Sequence, residues 1–205
     1  MKKIKVFLFD LGGVLLDVDY HKTITAFAQL GVANPSELYN QFGQNQLFDQ
    51  YEKGEVSSDY FIQQLKPLTN DGVSEAQVIE AWNAMIGDFP IEKLDFITRL
   101  SKHHKCFLLS NTNQIHLEKV VVNLKHTPYE KLEDLFVKCF YSHLIGKRKP
   151  DVDTFNWVIN QMGVKAGETL FIDDSPQHIN GAKKAGLQTV YYKETADLFN
   201  LKKCL

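Results

Sequence analysis

The sequence predicts an α/β fold, a parallel sheet whose first strand is followed by a helical insertion. Strand-length apolar runs rich in β-branched and aromatic residues recur at Lys5 to Phe9, Lys105 to Leu109, Phe136 to Tyr141, Thr169 to Ile172 and Gln188 to Tyr192. From Glu92 onward helical patterns alternate with these runs, as right-handed βαβ crossovers require. Between Asp19 and about Phe89 only helical patterns occur, and an insertion explains them best. With 205 residues, 44% apolar and 23% charged, the chain can bury a sizeable core. Residues 1–18 and 89–205 are expected to form that core and residues 19–88 the inserted unit.

The first strand ends abruptly in Asp10, and Gly12 and Gly13 then permit a tight turn. Thr23, Ile24, Phe27, Ala28 and Leu30 recur at helical spacing and stop at Gly31, a residue suited to helix ends. Pro35, Ser36 and Glu37 open a second helix with Ser36 as N-cap, continuing through Leu38, Phe42, Leu47 and Phe48. After a turn around Gly54 a third helix starts at Ser57, and Ser74 to Ile79 starts a fourth that carries Trp82, Met85 and Ile86. Tyr20, Phe48, Tyr51 and Trp82 are expected to pack inside this helical unit rather than to wall a ligand. Further helices are expected over Glu92 to Lys102, Gln114 to Leu124, Asp153 to Met162 and around Ala182 to Ala185, where Gly186 ends the last.

A net charge of -2, spread over interspersed acids and bases, gives no nucleic-acid surface and no charged tail. Cys106, Cys139 and Cys204 are odd in number and outside any metal or redox spacing, so free thiols in a reducing compartment are expected. Lys5 and Asp10 interrupt the N-terminal apolar run, which is read as a strand and not as a signal peptide. No apolar stretch reaches the roughly 18 residues of a membrane span. The expectation is a cytoplasmic protein with neither nucleic-acid nor membrane partners; the oligomeric state is left open. The histidines lack ligand-like spacing, and His21 and His143 are read as structural before substrate-contacting.

The polar residues at the strand exits form a pattern. The first strand ends in Asp10, the second in Ser110 and Asn111, and the fourth in Asp173 and Asp174, while Gly146 to Pro150 follows the third. In a parallel sheet all of these open onto one edge, where ligands bind. A nucleophile candidate, a hydroxyl donor, a cation and two further carboxylates suit a magnesium ion and a phosphate. Each has a plainer reading: Asp10 as a turn former, Ser110 to Thr112 as a helix cap, Lys149 as an exposed surface lysine, and Asp173 and Asp174 as an acidic helix start. Four unrelated turns have no reason to supply complementary charges at one edge, and that favours the joint reading.

Four segments in order, Phe9 to Leu15, Leu109 to Thr112, Lys149 to Asp151 and Phe171 to Ser175, carry a resemblance to the haloacid dehalogenase superfamily of hydrolases. The form it resembles has a Rossmann-like core and a helical cap inserted after the first strand. With Tyr51-Glu52-Lys53-Gly54-Glu55, the chain is similar to bacterial sugar-phosphate phosphatases, including glucose-1-phosphate phosphatases, and to epoxide-hydrolase N-terminal domains. The resemblance implies a phosphatase acting on a small phosphorylated metabolite. Asp10 would attack phosphorus to give an aspartyl-phosphate. Asp10, the carbonyl of Gly12 and Asp174 would hold Mg²⁺. Ser110 and Asn111 would bind the phosphoryl group, Lys149 would counter its charge, and Asp173 would orient Lys149 or a water.

One position departs from the family pattern. Most phosphatases of the superfamily carry an acid two residues after the nucleophile, where Gly12 stands here. Such an acid typically contributes about 10²- to 10⁴-fold. Asp17, and after it Asp19 and His21, are the nearby candidates to replace it. Aryl phosphates are therefore expected to react well relative to alkyl ones, and a sugar 1-phosphate relative to a 6-phosphate. The alternatives are a dehalogenase using Asp10 on carbon and a catalytically weak binding protein that kept the site.

Overall fold

The computed structural model describes residues 3–38 and 46–201. Its centre is a parallel five-stranded sheet of β1 (Val6–Phe9), β2 (Lys105–Ser110), β3 (Lys138–Tyr141), β4 (Thr169–Asp173) and β5 (Gln188–Tyr191), in the order β3-β2-β1-β4-β5. Successive side chains of a strand point to opposite faces, and the sheet is buried on both. Phe7, Phe9, Leu108 and Ile172 pack on one face with Leu94, Ile97 and Leu198 from α6 (Ile91–Ser101) and α11 (Thr195–Phe199). Leu8, Leu109, Phe140 and Phe171 pack on the other with Phe155, Val158, Ile179 and Ala182 from α9 (Val152–Met162) and α10 (Pro176–Lys184). The chain runs from β1 toward β2 on one side and later to β4 on the other, so strand order reverses at β1. Crevices form at such reversals, at the carboxyl ends of the strands.

The predicted strands are all present. β3 begins later than expected, at Lys138, because Phe136 packs beneath the sheet with its ring 6.3 Å from that of Phe9. Helix α7 (Gln114–Leu124) follows β2, and a four-residue helix, α8 (Ser142–Ile145), follows β3. Elements as short as α8 and α11 leave no periodicity to read.

Between β1 and α6 lie α1 (Tyr20–Gln29), α2 (Pro35–Leu38), α3 (Gln46–Glu52), α4 (Ser58–Leu65) and α5 (Glu75–Asn83). The single helix expected from Pro35 to Phe48 is helical at both of its described ends, in α2 and α3, and residues 39–45, with Phe42, lie outside the described residues. Pro35 itself opens α2, so Ser36 sits inside the first turn and is not its N-cap. Elsewhere the capping signals hold. Ser57 caps α4, and Ser74 and Gln77 form a reciprocal capping box on α5.

Phe27, Phe48, Tyr51, Phe61, Val78 and Trp82 form an apolar cluster of their own. It reaches Ile115 of α7, which joins the helical segment to the sheet-based core. At this junction the Trp82 Nε1–H and the His116 backbone N–H both donate to Asn113 Oδ1, at 3.4 and 3.0 Å. That fixes the Asn113 amide as donor to His116 Nδ1 at 3.1 Å, so His116 Nε2–H donates to the Trp82 carbonyl at 3.0 Å. The imidazole also stacks on the Trp82 ring, with centroids 4.3 Å apart.

His116 is thus held neutral, and burial pulls its pKa down from 6.5 to about 4 against the Trp82 carbonyl, which favours the charged form. Because the folded value lies below the unfolded one, this stabilisation is complete above about pH 6.5 and declines as pH falls toward about 4. Protonating the unfolded chain alone should remove up to about 3 kcal/mol. Urea unfolding between pH 7.5 and 4.5 should show that decline in the parent and a flatter profile in His116→Gln. Parallel profiles would mean that His116 titrates freely in the folded state.

Candidate active site

Asp10 follows β1, its N–H donating to the Ile172 carbonyl of β4 at 2.9 Å, so it stands beside Asp173 at the reversal of strand order. The Asp10 Oδ1 accepts from the Leu11 N–H at 2.7 Å and lies 2.7 Å from Lys149 Nζ. The same ammonium donates to Asp173 Oδ2 at 2.7 Å. Lys149, expected on an exposed loop, is instead completely buried. A buried ammonium persists only when paired, and here two carboxylates grip it.

The rest of the Lys149 setting comes from β2 and β4. The Asn111 side chain, just past β2, accepts the Lys149 N–H at 2.9 Å and donates to its carbonyl at 2.8 Å, so one amide clamps the backbone of the lysine. Asp173, at the end of β4, also accepts from the Ser175 N–H at 2.8 Å and from His178 Nδ1 at 3.0 Å. Both of its oxygens are engaged. Burial lowers the His178 pKa, aided by the Lys149 charge and opposed by Asp173, so the His178 contact is a neutral N–H donating to a carboxylate.

Asp174 points the other way, into the crevice. Gly13, with φ of 76°, permits this: a Cβ there would lie 2.2 Å from Asp174 Oδ2. Asp10, Gly12, Asp174, Ser110 and Asn111 line one cavity of about 100 Å³.

The charges at this edge are out of balance. Burial, then the Asp173 charge, pushes the Asp10 pKa well above the usual carboxylate range despite Lys149. The same two causes lift Asp174 to about 6. Asp173 lies well below that range, because Lys149 first and then His178 outweigh its burial. For Lys149, the two neighbouring carboxylates outweigh burial and raise its pKa. Three acids against one lysine leave a deficit of positive charge on the cavity side, where Asp10, Asp174 and the Gly12 backbone offer only oxygen donors. That donor set fits a hard divalent cation such as Mg²⁺. Asp10, Asp173 and His178 also offer atoms within 4.8 Å of one another, but Lys149 already bridges those two acids.

The strand-exit residues read from the sequence are therefore brought together. Asp17 is not: its side chain is 64% exposed and pairs with Lys93 Nζ at 3.4 Å. Asp19 caps α1 by accepting the His21 N–H, and His21 is exposed. Phe48, Tyr51 and Trp82 pack within the helical cluster as expected, and Tyr20 packs against it while also lining the cavity. Glu52, His116, Arg148 and His178 line it too, and sequence reasoning gave none of them a role there. Available signals were Arg148 beside Lys149, Glu52 in the Tyr51 to Glu55 stretch, and His178 one helical turn past Asp174.

Removing the buried ammonium should leave Asp10 and Asp173 facing each other unpaired. Breaking such a pair typically costs about 3–5 kcal/mol. Lys149→Met should lose stability of that order in urea unfolding, and Lys149→Met/Asp173→Leu should recover part of it. A single variant as stable as the parent would show that the two acids find another partner.

Comparison with known proteins agrees with this geometry. The chain matches the family model for haloacid dehalogenase-like hydrolases over residues 4–186. It is 31% identical to the D-ribitol-5-phosphate phosphatase of Bacteroides thetaiotaomicron, over 95% of this chain and 94% of that protein. A crystal structure of a HAD-family enzyme from the same species, an aspartate-to-alanine variant in complex with magnesium and inorganic phosphate, superposes with a TM-score of 0.88. Its identity is 34%, covering 96% of this chain and 98% of that one. A HAD-like hydrolase from Porphyromonas gingivalis gives 0.82 at 33% identity, covering 92% and 91%. Sheet order, strand-exit chemistry and these matches along nearly the whole chain make the protein a member of the haloacid dehalogenase-like hydrolase family.

Proposed function

We propose that this hydrolase is a magnesium-dependent phosphatase that releases phosphate from a small sugar or polyol phosphate through an aspartyl-phosphate on Asp10. In this reading, residues 19–88 are a cap domain over a core of residues 1–18 and 89–205. One observation carries it: Asp10, Ser110 and Asp174, at the carboxyl ends of adjacent strands, line one small cavity, and the buried Lys149 ammonium sits on Asp10 behind it. The phosphatase relative and the magnesium- and phosphate-bound neighbour support the same chemistry.

Asp10 attacks phosphorus as the ester P–O bond breaks and the leaving oxygen departs to take a proton from solvent. Water then attacks the phosphoryl-aspartate and releases inorganic phosphate and the free Asp10 carboxylate, so one difficult hydrolysis becomes two displacements. Lys149, fixed by Asn111 and Asp173, offsets the charge of Asp10 and of the phosphoryl oxygens as the bond forms. Ser110 Oγ–H and the Asn111 backbone N–H bind those oxygens. Asp10, Asp174 and the Gly12 carbonyl would hold Mg²⁺, whose chemistry when bound is to offset phosphoryl charge. Asp173 serves Lys149, since its oxygens are already engaged. The dehalogenase alternative leaves Asp174 beside the nucleophile without a task. Cys106 and Cys139 are unpaired, in keeping with the reducing, cytoplasmic setting expected from cysteine usage, and burial, which pushes their pKa values up to about 12, keeps them unreactive. Among the described residues no helix is long and apolar enough to cross a membrane.

The first test is hydrolysis of p-nitrophenyl phosphate with and without Mg²⁺. Turnover should require the ion, and Asp10→Asn should lower kcat by about 10³-fold or more. Near-parental turnover in that variant would overturn the covalent route.

A second test follows from Gly12. A Cβ there would lie 3.1 Å from Val18 Cγ2, so an acid at this position needs Val18 to give way. Gly12→Asp/Val18→Ala should raise the rate on an alkyl phosphate by about 10²-fold more than on the aryl phosphate, because only the alkyl leaving oxygen needs a proton. Equal gains on both would mean that the parent already has a proton donor for the leaving group.

A further inference from the structure

In the same cavity lining as Asp10 and Asp174 stands an ion pair to which the hydrolysis gives no task. Arg148, next in sequence to Lys149, reaches the helical segment: its guanidinium donates to Asp49 Oδ1 at 2.9 Å and lies 2.9 Å from Glu52 Oε2. Glu52 and Arg148 both line the cavity, with side chains 7% and 18% exposed. The Tyr20 phenol also lines the cavity, near enough to Asp174, Asp10 and Glu52 for burial and their charges to raise its pKa. Among the described residues the buried Arg148 Nε–H has no hydrogen-bond partner. An unpaired donor in a ligand cavity is a place for a ligand acceptor.

Glu52 is also held rigidly. Its neighbour Tyr51 accepts the Ile115 N–H of α7 at 3.2 Å. Two residues on, Gly54 packs so closely on α8 that a Cβ would lie 2.1 Å from the His143 carbonyl oxygen. Helix α3 is thus pinned to the core on two sides. The charge of Arg148 is already met by two acids, so this end of the cavity has no cation left for a second anion, and Glu52 would repel one. Hydroxyl groups suit it instead, accepting from Arg148 Nε–H and donating to the Glu52 carboxylate.

We propose that the Glu52–Arg148 pair is the specificity element of the pocket, reading hydroxyls on the neutral part of the substrate and rejecting phosphates that carry a second anion. This rests on the phosphatase reading, and names its substrate class as neutral, short-chain polyol phosphates. Apolar lining from Met85, Ile86 and Val18 is available to the carbon edges of such a chain.

The test compares kcat/KM for D-ribitol 5-phosphate, 3-phosphoglycerate and p-nitrophenyl phosphate in the parent and in Glu52→Gln. The parent should favour the polyol ester over the carboxylate-bearing ester by about 10²-fold, and Glu52→Gln should shrink that ratio by about tenfold or more. The change should come mainly from KM: higher for the polyol, lower for 3-phosphoglycerate, which then meets a less compensated Arg148. Should Glu52→Gln fail to fold by circular dichroism, Arg148→Lys, which keeps a cation but not the Nε–H, should show a KM for the polyol raised by about tenfold. A parent that hydrolyses the aryl ester but treats the other two alike overturns the proposal and leaves the phosphatase reading standing. So does a ratio unmoved by the folded variant. A parent inactive on all three esters overturns the phosphatase reading itself.

Discussion

The buried ammonium of Lys149, 2.7 Å from both Asp10 and Asp173, is the contact on which the catalytic edge depends. Two carboxylates buried on adjacent strands repel each other, and the lysine makes the pair tolerable. Its position is in turn imposed by parts of the chain far apart in sequence: Asn111 clamps its backbone, and Asp173 is aligned by Ser175 and His178. Catalysis and folding therefore draw on the same ion cluster. A surface lysine would separate the two.

The acidic excess around that cluster has a direction. Asp173 is saturated with donors, whereas Asp10 and Asp174 retain capacity toward the cavity, and Gly13 lets Asp174 come close to the turn after β1. One face of the carboxylate group belongs to the fold and the other to a ligand. The Glu52–Arg148 part of the lining is electrically different, because Arg148 is met by Asp49 and Glu52. A phosphoryl group and a neutral tail would each find the end that suits its charge.

Much of this was legible in the sequence because parallel sheets convert sequence position into spatial convergence. Asp10, Ser110 and Asp173 each close an apolar run, and the topology brings such ends to one edge. What stayed illegible depends on contacts that no local pattern encodes. Arg148 meets Asp49 across 99 positions, and Tyr51 meets Ile115 across 64. The burial of Lys149 was missed for the same reason, since a lysine before a proline reads as a surface residue until its partners are known. Nearness in sequence also misled: Asp17 lies seven positions from the nucleophile, yet the turn after β1 sends it out to Lys93.

The junction between the helical segment and the core bears on how substrate enters. A cap swinging open as a free body would have to strip Ile115 from the apolar cluster and undo the Trp82–Asn113–His116 bonds. It would also have to lift Gly54 off the His143 carbonyl. Buried apolar contacts resist such a motion most, because separation exposes them to water, while the hydrogen bonds broken are exchanged for bonds to water at a smaller net cost each. A preformed pocket of this kind favours selection by fit over selection by closure.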